Sequence, residues 1–214
     1  MRLSSAIPKL HQWISELTVG GSWGRTQPAP VQRNLHWFWF DGLFSSAHDS
    51  IYLNFISLYI LVLGATQAQI GLMSSLSSLA AAILLFPGAF LAERYFHRLK
   101  EMLVLNGILM RLSVLLLVFV PMFIKGSALI WAAIFFTVIR DGFANLGFPG
   151  WVALTHEVVP IDGRGRYFGS RTFIMSVAGI VITLGAGKLI TLFTGQLGYQ
   201  IALGIAFVLG GLSV

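Results

Sequence analysis

Ionisable side chains interrupt an apolar stretch, residues 37–63, that is long enough to cross a lipid bilayer as a helix. Asp41, His48 and Asp49 lie within it, together with the amide of Asn54. Charged groups in a membrane span are costly and usually face a protein interior or a water-filled path. A carboxylate there can hold a proton or a cationic solute, and a histidine can titrate near neutral pH. The alternatives are a static ion pair for the aspartates, solvent contact for Asp41 near the end of the stretch, and a helix-packing contact for His48.

Wound as a helix at about 100° per residue, the stretch divides into three faces. The first is predicted to line a cavity, and it carries Asp41, Ser45, His48, Asp49, Tyr52 and Tyr59. The second is predicted to pack against another helix, and it carries Ser46, Ser50, Asn54 and Ser57. The third is predicted to face lipid, and it carries Phe40, Phe44, Ile51, Phe55, Leu58 and Val62.

The composition identifies the class of protein to which this helix belongs. Hydrophobic residues make up 56% of the chain and charged residues only 10%, with a mean hydropathy of +0.80. Soluble domains carry about 25% charged residues, so the chain is predicted to be an integral membrane protein. The net charge of +6 is therefore interpreted through its distribution among loops and not as a sign of nucleic-acid binding. The chain has no cysteine, which excludes disulfides and a cysteine nucleophile.

Six apolar stretches predict an all-α polytopic protein with six transmembrane helices. They lie at about 37–63, 70–92, 102–124, 129–151, 172–193 and from 199 onward. Basic residues concentrate before the first span and in the loops at 93–101 and 155–171, which the positive-inside rule places in the cytoplasm. We expect a loosely ordered cytoplasmic N-terminal tail over 1–36, a transmembrane domain over 37–214 whose sixth helix is truncated, and residence in the plasma (inner) membrane.

Further charged residues occur in the third and fourth spans. Arg140, Asp141 and Asn145 lie in the fourth span, and Arg111 lies in the third. Arginine stays charged, so a buried arginine needs a partner. Asp141 is an imperfect one, because adjacent residues do not face each other on a helix. We hypothesise that Asp49 and Arg140 form a cavity pair for which substrate or protons compete. Arg111 either faces the same cavity or belongs to an internal structural pair.

The loop after the second span resembles the cytoplasmic loop signature of the major facilitator superfamily, with Leu91, Ala92, Arg94 and Arg98 in agreement and Glu93 in place of an aspartate. Three further stretches resemble that family in order and on the corresponding spans. They are the turn at Leu63, Gly64, Ala65 and Thr66, the fourth-span Arg140, and the run Val159, Pro160, Arg164, Gly165 and Gly169.

The resemblance implies half of a transporter built from two six-helix halves, which alternate access around a midplane site. In that family the first and fourth helices of each half line the cavity. The resemblance also implies a cytoplasmic gate, for which the candidates are Glu93, Arg94, Arg98, Arg164 and Arg166. The missing C-terminal half, or a second copy of the chain, would then complete the path.

The sequence as a whole predicts secondary active transport of a small solute across a lipid bilayer, with proton coupling as one option. A non-transporting membrane receptor or assembly partner of the same architecture is the alternative. An intramembrane enzyme using Asp41, His48 and Asp49 is a third reading, which a bound metal would favour. We expect no enzyme activity, cofactor, metal or nucleic-acid partner, since His156 and Glu157 begin a zinc motif that lacks its second histidine.

Overall fold

The computed structural model describes residues 17–193 and 195–213, and every regular element within them is helical. Six long helices follow in order: α1 (Ala29–Val62), α2 (Gln67–Arg94), α3 (Leu99–Phe123), α4 (Ser127–Val158), α5 (Arg164–Leu192) and α6 (Gln196–Gly211). A short helix, Ser22–Arg25, precedes them, and two single 3-10 turns, Phe96–Arg98 and Ile161–Gly163, stand before α3 and α5. The predicted all-α polytopic membrane fold is confirmed.

Four of the helices are long and apolar enough to cross a membrane by length and composition, namely α2, α3, α4 and α5. The 34 residues of α1 are sufficient in length, but its polar side chains lower its hydropathy. The 16 residues of α6 span about 24 Å, which is shorter than a hydrocarbon core of about 30 Å.

Several helices extend beyond the apolar stretches that predict them. α5 begins at Arg164 and α4 continues to Val158, so most of the predicted loop over 155–171 is helical. Pro160, outside both helices, separates them. α1 begins at Ala29, eight residues before the predicted span, with Pro30 in its first turn, where a missing N–H costs nothing. Apolar patterning locates the part of a helix within lipid and does not locate its ends.

The described part of the N-terminal segment is packed against the bundle, which corrects the prediction of a loosely ordered tail for residues 17–36. Trp23 lies on Gly163, where any side chain would overlap its ring, and donates a hydrogen bond from Nε1 to Asp162 at 2.9 Å. Tyr167 donates from its hydroxyl to the Leu35 carbonyl at 2.7 Å. Residues 1–16, the rest of the predicted tail, lie outside the described residues.

α1 is the central helix of the bundle. It packs on α5 and α6 and touches α4, while α2 packs on α4 and α3 packs on both α4 and α6. One hydrophobic cluster surrounds its first turns, with Leu35, Phe38, Trp39, Val159 and Tyr167. Another surrounds its last turns, with Tyr59, Ile60, Leu117, Ile134 and Leu203. Asp41, His48 and Asp49 of α1 lie between these two clusters.

α2 and α4 approach closely at Gly88. This glycine is buried, and a Cβ on it would lie against the backbone carbonyl of Leu146 on α4. Small residues at such points allow helix backbones to come together in membranes. Gly71, one turn after the start of the same helix, has open space where a Cβ would stand.

We therefore expect Gly88→Ala to destabilise the bundle by about 1–3 kcal/mol, because backbone atoms cannot yield to the added methyl group as a flexible side chain would. Gly71→Ala is the matched control and should be neutral or slightly stabilising, since alanine favours helix. Thermal unfolding in detergent, followed by tryptophan fluorescence, measures both. Equal melting temperatures for the two variants would contradict the close approach.

Candidate functional site

Arg140 of α4 bridges two carboxylates in the middle of the bundle. Its Nη2 donates to Asp49 Oδ1 of α1 at 2.5 Å, and its Nη1 donates to Asp141 Oδ1 at 3.2 Å. Its guanidinium also lies over the Tyr52 ring, 4.1 Å from the ring centroid. Asp141 is expected to be a poor partner, but the long arginine side chain reaches back to it. Asp49 and Arg140, paired by hypothesis from the sequence, are thus in contact.

The pair is asymmetric in its exposure. The side chain of Arg140 is 6% exposed, whereas that of Asp49 is 45% exposed and that of Asp141 is 24% exposed. The cation is therefore enclosed by protein, and the carboxylate oxygens face the open side. A carboxylate has about four lone-pair positions, and the arginine occupies only part of them. The remaining lone-pair positions of Asp49 can accept further hydrogen bonds.

A second arginine, Arg171 of α5, lies near Asp41 at 4.0 Å between Nη2 and Oδ2. Its guanidinium stacks over the Phe38 ring at 4.7 Å and donates to the Phe38 carbonyl at 3.4 Å. Gly42 leaves the space for it, because a Cβ there would overlap the guanidinium. The sequence assigns Arg171 to a cytoplasmic loop and misses it as a site residue. A helix start at Arg164 would have placed it two turns inside α5.

A third arginine, Arg111 of α3, donates to the Ser213 hydroxyl. Ser213 in turn lies 3.2 Å from the Ser45 hydroxyl of α1 and donates to the Gly210 carbonyl at 3.0 Å. Within the described residues no carboxylate lies within ion-pair distance of Arg111, and its Nε has no hydrogen-bond partner. Arg111 is nevertheless only 6% exposed.

His48 faces the bundle interior. Its Nδ1 lies 2.8 Å from the Ala206 carbonyl of α6, and its ring stacks on Tyr52 with 6.1 Å between centroids. The sequence allows two roles for His48, a titrating group and a helix-packing contact, and this geometry is that of a helix-packing contact. Because a carbonyl only accepts, the contact requires the proton on Nδ1.

Asn145 and Tyr59 are two other candidates from the sequence, and they make different contacts. Asn145 is half-buried on α4, one turn beyond Asp141, and donates to the Asp141 carbonyl at 2.9 Å. Tyr59 is fully buried between α1, α3 and α6, where its hydroxyl donates to the Leu117 carbonyl at 3.4 Å. Asn145 thus contacts the backbone of Asp141, whereas Tyr59 belongs to the hydrophobic cluster around the last turns of α1.

The other two faces of α1 agree only partly with the sequence analysis. Ser46, Ser50 and Asn54 meet α5 along an open groove of about 640 Å³, where Ser46 donates to the Met175 carbonyl at 3.4 Å. Ile51, assigned to the lipid face, is instead 2% exposed and packs on Ala202 and Ala206 of α6. The helical wheel identifies the apolar face but not the neighbour that covers it.

The candidate gate residues are placed at one end of the bundle, and most are exposed. Glu93, Arg94, Arg98 and Arg166 are exposed, and no ion pair joins Glu93 to an arginine in the described part of the chain. Arg164 donates to the carbonyls of Val159 and His156, both at 2.9 Å, and so caps the end of α4. Their gating role stays a prediction.

The described residues include no group of three or more histidine, aspartate or glutamate side chains arranged to hold a metal ion. Asp41, His48 and Asp49, the residues of the enzyme reading, contact Arg171, Ala206 and Arg140 respectively.

The model of the Major Facilitator Superfamily matches residues 38–214, which is most of the chain. The chain belongs to the Major Facilitator Superfamily. No curated protein and no solved structure matches it. Members of the superfamily are integral membrane transporters of small molecules and not enzymes, so the chain is a membrane transporter of this superfamily. The match begins in α1 and therefore includes Asp49, Arg111, Arg140 and Arg171.

Removal of Arg140 tests the energetics of the site. Breaking a fully buried ion pair from one side costs about 3–5 kcal/mol, and less is expected here because Asp49 is partly exposed. We expect Arg140→Gln to lower the melting temperature in lipid nanodiscs, whereas Arg166→Gln, an exposed arginine control, should leave it unchanged. Equal melting temperatures for Arg140→Gln and Arg166→Gln would contradict this account.

Proposed function

We propose that the chain moves a small solute by alternating access, and that Asp49 and Arg140 form the pair for which solute or protons compete. The observation that supports this proposal is the exposure pattern of the pair, in which a buried cation holds a half-exposed carboxylate. A purely structural pair gains nothing from leaving one partner open. Ionisable residues at this depth in a membrane protein are functional by default.

Proton coupling follows from the chemistry of the same pair. Protonation of Asp49 would remove its charge and with it most of the attraction to Arg140, which itself stays charged. Arg140 would then retain Asp141 as its remaining carboxylate. A solute that donates hydrogen bonds to Asp49 would act on the same contact. Solute and proton would therefore influence each other through one carboxylate.

The path is proposed to need a second six-helix unit, supplied by a C-terminal half or by a second copy of the chain. α2 and α5 support this, because only 11% of the apolar window of each helix is buried inside the described bundle. The groove between α1 and α5 is also open, as expected if a second unit covers it. It is lined in part by Ser50, Asn54 and Thr183.

The orientation proposed from the sequence places the N-terminus in the cytoplasm of a plasma (inner) membrane, following the basic loops. The candidate gate residues then lie on the cytoplasmic side. Arg166 is the better partner for Glu93, since Arg164 is committed to the α4 carbonyls. Loss of transport in Glu93→Arg with normal membrane insertion would support the gate, and unchanged transport would contradict it.

Transport by Asp49→Asn and Arg140→Ala tests the proposed function. Proteoliposomes are offered radiolabelled sugars, amino acids and organic cations, with and without an inward proton gradient. We expect a solute that the parent accumulates to lose at least about tenfold of its gradient-driven uptake in both variants, equivalent to about 1.4 kcal/mol. Glu101→Gln, an exposed carboxylate on α3, is the matched control and should transport normally. Parental coupling in both site variants would refute the role of the pair.

The same assay decides between transport and the alternative of a receptor or assembly partner. A receptor would bind a solute, detectable as quenching of tryptophan fluorescence, without flux under any gradient. The transporter account requires flux that the solute itself saturates.

A further inference from the structure

Three arginines and three aspartates lie in the charged region around α1, but the aspartates are unevenly distributed among the arginines. Arg111, Arg140 and Arg171 come from α3, α4 and α5, and all three are nearly buried. The carboxylates are Asp41, Asp49 and Asp141. Arg171 has one carboxylate near it, Arg140 has two, and Arg111 has none within the described residues.

The unmatched arginine is physically costly. A guanidinium remains charged in proteins, and an uncompensated charge inside a membrane protein is strongly unfavourable. The Ser213 hydroxyl gives Arg111 one neutral acceptor, whereas Arg140 and Arg171 each have a carboxylate within ion-pair distance. We expect this environment for an arginine that pairs with a carboxylate in another conformation of the protein.

Two carboxylates lie near enough along α1 to be that partner. Ser45 shares the Ser213 hydroxyl with Arg111, and Asp41 and Asp49 lie one helical turn before and after Ser45, about 6 Å along the axis. Both aspartates and Ser45 follow each other at four-residue spacing, so they occupy one side of the helix.

Only one of the two aspartates can pair with Arg111 and still leave a carboxylate for each of the other two arginines. If Asp41 moved to Arg111, Arg171 would lose the carboxylate that lies near it. If Asp49 moved, Arg140 would still hold Asp141 at 3.2 Å. Each of the three arginines would then have one carboxylate. The side chain of Asp49 is half-exposed, so it has more room to move than the buried side chain of Arg140.

We propose that Arg111 is the alternative partner of Asp49, which receives this carboxylate when it leaves Arg140. Its part in transport rests on the proposed function, because transport is what would draw Asp49 from Arg140. The pairing itself is a property of the bundle and can be tested without any solute.

A double-variant cycle in the melting temperature tests the pairing. In the parent, Arg111→Gln removes a buried cation that has no carboxylate within ion-pair distance among the described residues, so we expect an unchanged or higher melting temperature. In the Arg140→Gln background Asp49 is expected to pair with Arg111, so the same Arg111→Gln change should lower the melting temperature. A reversal of sign between the two backgrounds is the expected result, whereas a merely structural Arg111 would lower stability in both.

Matched variants complete this experiment. Arg111→Lys should behave as the parent in both backgrounds, because it keeps a cation in place, and Arg166→Gln should have the same small effect in both. If Arg140→Gln does not fold, Arg140→Lys serves as the background, since a point charge cannot fork to both carboxylates. Equal effects of Arg111→Gln in the two backgrounds, or destabilisation in the parent, would overturn the proposal. Because no transport is measured, that failure would leave the proposed function standing.

Discussion

The cost of placing charge inside a membrane is the constraint on which this bundle depends. α1 carries two carboxylates at mid-span, and it cannot be stable in lipid unless other helices supply cations to them. Arg140 meets Asp49 from α4, and Arg171 lies near Asp41 from α5. Arg111 approaches the same side of α1 from α3 through Ser213 and Ser45. The charged side chains therefore tie three helices to the central one, and they do so between the two hydrophobic clusters that hold its ends.

Glycine and aromatic residues make room for these long cations. A Cβ on Gly42 would overlap the Arg171 guanidinium, and one on Gly210 would crowd both Arg111 and His48. Tyr52 and Phe38 offer ring faces to Arg140 and Arg171, at 4.1 and 4.7 Å from the ring centroids. Such contacts stabilise a cation more strongly when it is desolvated. The arginines are thus held by shape as well as by charge, whereas the carboxylates remain more exposed.

Much of this organisation could be predicted from the sequence, because hydropathy and charge report directly on a membrane environment. The helical class, the order of the helices and the candidate pair Asp49 and Arg140 follow from residue types at mid-span. Ile51, Tyr59 and Arg171 could not be placed in the same way. A helical wheel shows that Ile51 and Tyr59 lie on given faces, but which neighbour covers a face depends on how α5 and α6 pack. Arg171 was missed because an arginine beside a basic loop looks like part of that loop until the start of α5 is known. Neither hydropathy nor charge indicates that residues 17–36 pack beside the end of α4 and the start of α5.

The central claim is that the carboxylates of the site face water within the membrane, and thiol labelling tests it most directly. The chain contains no cysteine, so a single introduced cysteine is labelled without background. Asn145→Cys places a thiol one turn beyond Asp141 on α4, where the Asn145 amide donates to the Asp141 carbonyl. Leu112→Cys places one on the exposed outer side of α3, beside Arg111 in the chain. With a water-soluble, membrane-impermeant reagent, the account predicts rapid labelling of Asn145→Cys and no labelling of Leu112→Cys in lipid vesicles. An Asn145→Cys variant that labels as slowly as Leu112→Cys would contradict it.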